Sequence, residues 1–256
     1  MKALFAFIRK EITEQIRSGR LWLLLAVFVF FGIMNPAVAK LTPWLLELLA
    51  DSLAESGMTV TDVTVSAMDS WVQFFKNAPI CLIVFAVVQS GVFTREYASG
   101  TLVLSLTKGL ARYKVVVAKA AVLFALWTAC YFMGFAITYG YNAYFWDNSV
   151  AQSLAASVFF WWVFGVWVIA LSVLFSTLFQ TNTQVLVATG GSAFACYLLG
   201  LLPKVKRVVP TLLTDGNALI YGTSDAQAYT VALIVAAVTA VACIFLSLLA
   251  FNKKQL

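Results

Sequence analysis

The chain is predicted to be an all-α integral membrane protein with six transmembrane helices, an amphipathic helix ahead of the first, and a short helix between the second and third. Three observations predict this. The 256 residues are 62% hydrophobic and 11% charged, whereas a water-soluble domain is about 45–50% apolar and about 25% charged. The apolar residues gather into six runs, each close to the ~20 residues that a helix needs to cross ~30 Å of hydrocarbon. Within each run they are continuous, and barrel strands would instead alternate over ~10 residues.

The six runs are Leu21–Ala39, Trp71–Phe93, Val115–Tyr139, Leu154–Phe179, Gln184–Leu202 and Tyr229–Phe251. The chain therefore divides into an interfacial helix (1–20), a transmembrane domain (21–251) and a short tail (252–256). Pro79 marks a kink in the second run. Asn35-Pro36 is expected to break the first near its outer end.

The cations set the orientation, because cytoplasmic loops are enriched in Lys and Arg. Twelve of the 17 fall on one side: Lys2, Arg9, Lys10, Arg17, Arg20, Arg95, Lys108, Arg112, Lys114, Lys119, Lys253 and Lys254. Five fall on the other: Lys40, Lys76, Lys204, Lys206 and Arg207. Both termini are thus expected in the cytoplasm. Eight of the 11 acids lie outside, from Glu47 to Asp225. The outside cluster Lys204, Lys206 and Arg207 fits this rule poorly and suggests contact with lipid phosphates.

Before the first span, Leu4, Phe5, Ile8, Ile12 and Ile16 recur at helical spacing among charges, the pattern of an interfacial helix. Gly19 permits a bend into the first span. Outside, Trp44–Leu53 reads as a short amphipathic helix and Thr59–Ser66 as irregular chain. Leu212, Leu213, Leu219 and Ile220 predict that part of Pro203–Ala228 dips back to the membrane.

Several chemistries are excluded. There is no histidine, so no His general base, Ser–His or Cys–His pair, or His-ligated metal is available. The four cysteines, Cys81, Cys130, Cys196 and Cys243, stand singly in apolar runs and read as small buried hydrophobes. No GxxxxGK[ST] sequence occurs, so the chain has no phosphate-cradling loop of its own. A cofactor, metal or nucleic-acid site is not expected. No Asp, Glu, Lys or Arg lies at the centre of a run, where ion-coupled carriers keep such groups. A membrane-embedded enzyme would need a cluster of them.

The segment Phe93–Lys119 is the most informative. A short helix is expected over Ser99–Thr107, opened by a Ser99 cap and closed at Lys108-Gly109. At these residues the sequence resembles the loop between the second and third spans of type-2 ABC exporter permeases: Glu96-x-x-x-Gly100-Thr101-Leu102, then Leu106, Arg112 and Lys119. A proline that this family usually carries before the Arg is replaced by Gly109-Leu110-Ala111. The Lys10-Glu11 pair, with Arg17, resembles the family's N-terminal elbow helix. The resemblance implies that Ser99–Thr107 is a coupling helix that docks on a separate cytoplasmic ATPase, which binds ATP and Mg. It also implies a second permease copy or a similar permease.

Gly100 would then permit a tight turn into the coupling helix. Glu96 would cap that helix or pair with Arg95, Arg112 or Arg17, or stay a solvated ion. Gly190, Gly191 and Ser192 suit a dimer seam or a contact within the subunit. Arg112, Lys114 and Lys119 are expected at the headgroup level. Trp22, Trp44, Trp71 and Trp146 are expected as interface anchors, and Trp161, Trp162 and Trp167 as packing or lipid-facing residues. The function expected is ATP-driven export of an amphipathic peptide, an antimicrobial or a lipid-like molecule across a cell membrane. The alternative is a structural or assembly subunit that moves nothing.

Overall fold

The computed structural model describes residues 2–49, 64–107 and 109–254. Its helices are α1 Lys2–Arg17, α2 Arg20–Leu48, α3 Ala67–Gln89, α4 Gly91–Ser99, α5 Thr101–Thr107, α6 Arg112–Phe145, α7 Leu154–Leu178, α8 Asn182–Gly200, α9 Gly216–Ile220 and α10 Thr230–Lys253. Short 3-10 turns lie at Asn148–Val150, Pro210–Thr214 and Ala226–Tyr229. Six helices are long and apolar enough to cross a membrane: α2, α3 continued through α4, α6, α7, α8 and α10. The protein is an all-α integral membrane protein. Among the described residues there is no strand.

The spans alternate in direction, so that one end of the bundle gathers α1, α4, α5, the start of α6 and the last turn of α10. This is the basic end. The core runs through aromatic contacts such as Trp127 stacked on Tyr131 at 5.2 Å and Phe160 on Tyr229 at 5.3 Å. The indoles of α7 pack rather than face lipid. Trp161 donates to the Thr214 carbonyl at 2.9 Å, Trp167 to Thr239 Oγ1 at 3.0 Å and Trp162 to Thr128 Oγ1 at 3.1 Å. Trp71, expected at an interface, is instead fully buried and donates to Asn148 Oδ1 at 3.1 Å. Its neighbours Phe74, Phe135 and Tyr139 supply an apolar seat.

The first span is not broken at Asn35-Pro36. Helix α2 continues past Pro36 and Pro43 to Leu48, a run of 29 residues, about 43 Å at 1.5 Å per residue. Proline removes the N–H that would bond the Gly32 carbonyl, four residues back. Thr138 of α6 replaces it, donating its hydroxyl to that carbonyl at 3.0 Å. Asn35 in turn donates to Thr138 Oγ1 at 3.3 Å, and Asn77 of α3 donates to Asn35 Oδ1 at 2.8 Å. All three side chains are buried. The two backbones are close here, since a Cβ on Gly32 would lie 3.0 Å from the Gly134 carbonyl oxygen. Residues Trp44–Leu48, expected as a separate helix, are the end of α2; Ala50–Leu53 and Thr59–Val63 lie outside the described residues.

Two smaller features follow, of which the second was expected from the sequence. Ser66 caps α3 in a reciprocal box with Asp69. The chain after α8 does dip inward: Leu213, Leu219 and Ile220 are buried, Tyr229 donates to the Asp215 carbonyl at 3.0 Å, and a Cβ on Gly216 would clash with the Phe75 ring at 2.6 Å.

Candidate functional site

The basic end is where the sequence motifs converge. Helix α1 does not lie loosely at the surface. Its polar residues Glu11 and Gln15, with Phe7, point into the bundle and are buried, while Phe5, Ile12 and Ile16 are exposed. In lipid this is the stable arrangement, because the apolar stripe meets hydrocarbon and the polar stripe meets protein partners.

Those partners form a closed ring of four charges. Lys10 Nζ meets Glu11 Oε1 at 3.1 Å; Glu11 Oε2 meets Lys119 Nζ at 2.8 Å; Lys119 Nζ meets Glu96 Oε2 at 3.0 Å; and Glu96 Oε1 meets Lys10 Nζ. The ring thus joins α1, α4 and α6. Glu14 adds a third carboxylate to Lys10 at 3.2 Å. Lys119 is fully buried and also donates to the Val92 carbonyl at 2.9 Å. Phe7 and Phe93 lie beneath its ammonium at 5.8 and 5.5 Å. Burial alone would lower the pKa of Lys10, but its hydrogen bond to Glu96 and the charges of Glu11 and Glu96 outweigh this and hold it above the ordinary lysine value. One turn along, Gln15 and Gln89 exchange amide hydrogen bonds at 3.0 and 3.1 Å, tying α1 to α3.

Three expectations change here. Glu96 neither caps a helix nor pairs with Arg95, Arg112 or Arg17; among the described residues its ion pairs are with Lys10 and Lys119. Lys119 lies inside the protein and not among headgroups. Arg112 closes the end of α10, donating to the carbonyls of Phe251, Asn252 and Lys254 at 3.2, 3.3 and 2.5 Å. Sequence spacing shows charges but not which are buried together, so these partners were not legible. Arg17 is exposed at the end of α1.

The segment α4–α5 is built on two left-handed glycines. Gly100 (φ +67°) ends α4, its N–H donating to the Tyr97 carbonyl at 3.3 Å, and Gly109 (φ +87°) follows α5. Left-handed backbone costs a residue with a Cβ about 1–2 kcal/mol, which glycine avoids. Ser99 is the last residue of α4 and not an N-cap; its hydroxyl lies 2.9 Å from Thr101 Oγ1. Lys108 lies outside the described residues. Leu102 is buried and Leu106 partly so, while Thr101 and Val103 face outward. The sequence did not single out Lys254 as a functional residue. Its ammonium donates to the Thr177 and Phe179 carbonyls at 2.9 and 3.0 Å and covers the Tyr97 ring at 4.1 Å. Burial lowers its pKa.

Helix α8 stands apart from the rest, with only Val185 and Thr189 buried. Gly190 and Gly191 are exposed and a Cβ on either would meet nothing within 4 Å. They therefore make no close contact within the described subunit. Ser192 returns its hydroxyl to the Ala188 carbonyl at 2.8 Å. Between α3, α7 and α8 lies an apolar cleft of about 270 Å³, lined by residues including Leu82, Ile83, Trp161, Phe164 and Gly190. Thr189 Oγ1 is buried on its wall and has no hydrogen-bond partner among the described residues.

Six apolar spans, with the motif residues of the segment between the second and third gathered at one end, define a multi-pass membrane protein. The chain matches the family model described as ABC-2 family transporter protein over residues 5–220 and belongs to that family. The search of curated proteins returns no match.

Proposed function

We propose that the chain is the permease subunit of an ABC exporter in a cell membrane, with both termini in the cytoplasm. In this reading α5 docks in a groove of a separate ATPase subunit. The observation that carries it is the geometry of α5: a seven-residue helix set off by left-handed glycines, anchored inward by Leu102 and presenting Thr101 and Val103. Glu96 in α4 and Arg112 at the start of α6 support the chain on either side of α5, through the charge ring and the α10 terminus respectively. Lys10, Glu11 and Lys119 extend that support to the elbow helix, so that a push on α4–α5 is felt by α1 and α6 together.

A second copy, or a similar permease, would pair along α8, where Gly190, Gly191 and Ser192 leave room for close helix contact. The cleft beside them suits an amphipathic peptide, an antimicrobial or a lipid-like cargo. Its walls are apolar, and Thr189 offers one hydroxyl for a polar group. Replacing Gly100-Thr101 by Glu-Arg should abolish co-purification of the ATPase while membrane insertion is kept. Undiminished co-purification would sink the docking assignment. In a reconstituted pair, cargo should raise ATP turnover several-fold; turnover indifferent to every amphipathic candidate would favour an assembly subunit instead.

A further inference from the structure

The turn after α8 carries Lys204, Lys206 and Arg207, all exposed at the end of the molecule opposite the charge ring. Among the described residues these three enter no ion pair, whereas Lys10 and Lys119 do, and Lys40 and Lys254 cover aromatic rings. The turn is fixed by backbone bonds: the N–H groups of Val205 and Lys206 both reach the Leu202 carbonyl at 3.0 Å, and Val208 N–H reaches the Val205 carbonyl at 2.8 Å.

Its position is set by α8, whose 19 residues rise about 28 Å, close to the hydrocarbon thickness of a bilayer. The cations therefore sit at the level of lipid phosphates. Just before them, Tyr197, Leu198, Leu201 and Leu202 are each about half exposed or more, at 56, 48, 64 and 52%. They form an apolar wall open to acyl chains. A cleft of about 470 Å³ lies between this wall and the inward-dipping segment, lined by residues that include Tyr197, Gly200, Lys206, Thr211 and Asp215. Thr211 Oγ1 would be 3.1 Å from a Cβ on Gly200, so glycine keeps that side of the cleft open. Lys206 and Asp215 form no ion pair with each other. The cleft thus offers one positive and one negative group, both exposed.

We propose that this cleft binds the headgroup of an aminophospholipid. Its phosphodiester meets Lys206, its primary ammonium meets Asp215, and its chains lie along Tyr197 and Leu201. A phosphoglycerol headgroup would bring its anion to Asp215 with no cation to offer, and a choline cannot donate a hydrogen bond to the carboxylate. The inference does not depend on what the protein transports.

The test is native mass spectrometry of the delipidated full chain in detergent, mixed with equal amounts of phosphatidylethanolamine, phosphatidylglycerol and phosphatidylcholine of matched chains. Phosphatidylethanolamine should be retained about tenfold over the other two, the scale of one charge-assisted contact. Lys206→Glu should erase that preference. Asp215→Asn should erase it while raising retention of phosphatidylglycerol. Lys204→Glu, outside the cleft, should leave it intact. A headgroup-blind pattern, or equal effects of Lys204→Glu and Lys206→Glu, would overturn the site. Soluble phosphoethanolamine should not bind by itself; binding as tight as the lipid's would make the ligand a free phosphate compound and refute the lipid assignment.

Discussion

Lys119 holds one ammonium between two carboxylates that come from two different helices, with no solvent contact to share the charge. Removing one member of such a buried set costs about 3–5 kcal/mol, because the others remain as unpaired buried charges. Lys119→Met should therefore lower the melting temperature in detergent and expose residues 2–17 to protease. Adding Glu11→Gln should recover most of the loss, since one cation and one carboxylate then remain in balance as Lys10–Glu96. An unshifted melting curve for Lys119→Met would mean that the ring does not hold α1. A second residue test concerns Thr138, whose hydroxyl stands in for the N–H missing at Pro36. Thr138→Val leaves the Gly32 carbonyl and the Asn35 amide short of partners, a cost of about 1–3 kcal/mol, readable as a lower denaturation midpoint. At this scale the sequence was half legible. Lys10, Glu11 and Glu96 stood out by motif, but burial and partner choice depend on helix rotation, which three adjacent apolar faces decide together.

For single elements, the sharpest expectation lies in Gly100. Its left-handed φ with open space around it means that a side chain is opposed by backbone strain and not by crowding. Gly100→Val should strain the junction by about 1–2 kcal/mol, shift α5 and reduce ATPase recovery in pull-downs. Gly100→Asn should be better tolerated, since Asn visits the left-handed region. Equal recovery for both variants would argue against a conformational role for the glycine. The six spans were legible because a twenty-residue apolar run has few other solutions in lipid. Their ends were not, because helices continue beyond hydrocarbon wherever partners satisfy them. Helix α6 shows this, running 34 residues from Arg112 at the α10 terminus to Phe145 under Lys40.

On the scale of the whole molecule, the uneven distribution of Lys and Arg over the two ends underlies the proposed orientation. A cysteine placed at Asp147, in an exposed turn between α6 and α7, should react with an impermeant maleimide on intact cells. One at Ser99 should react only after permeabilisation. The reverse pattern would invert the orientation. Gly191→Cys should cross-link between copies if α8 forms the seam, and labelled monomer alone under oxidising conditions would place the seam elsewhere.

The charge ring also bears on how the protein is made. Glu11 precedes Lys119 by 108 residues and Lys10 precedes Glu96 by 86. At about 5–20 residues per second of synthesis, α1 leaves the ribosome roughly 5–20 s before the third span supplies its buried cation. During that interval Glu11 lacks its buried cation and has only Lys10, in the same helix, as a partner. A nascent chain stalled after the second span has three carboxylates competing for Lys10, with no way to close the ring. Closing the ring therefore requires that half of the spans have already been made.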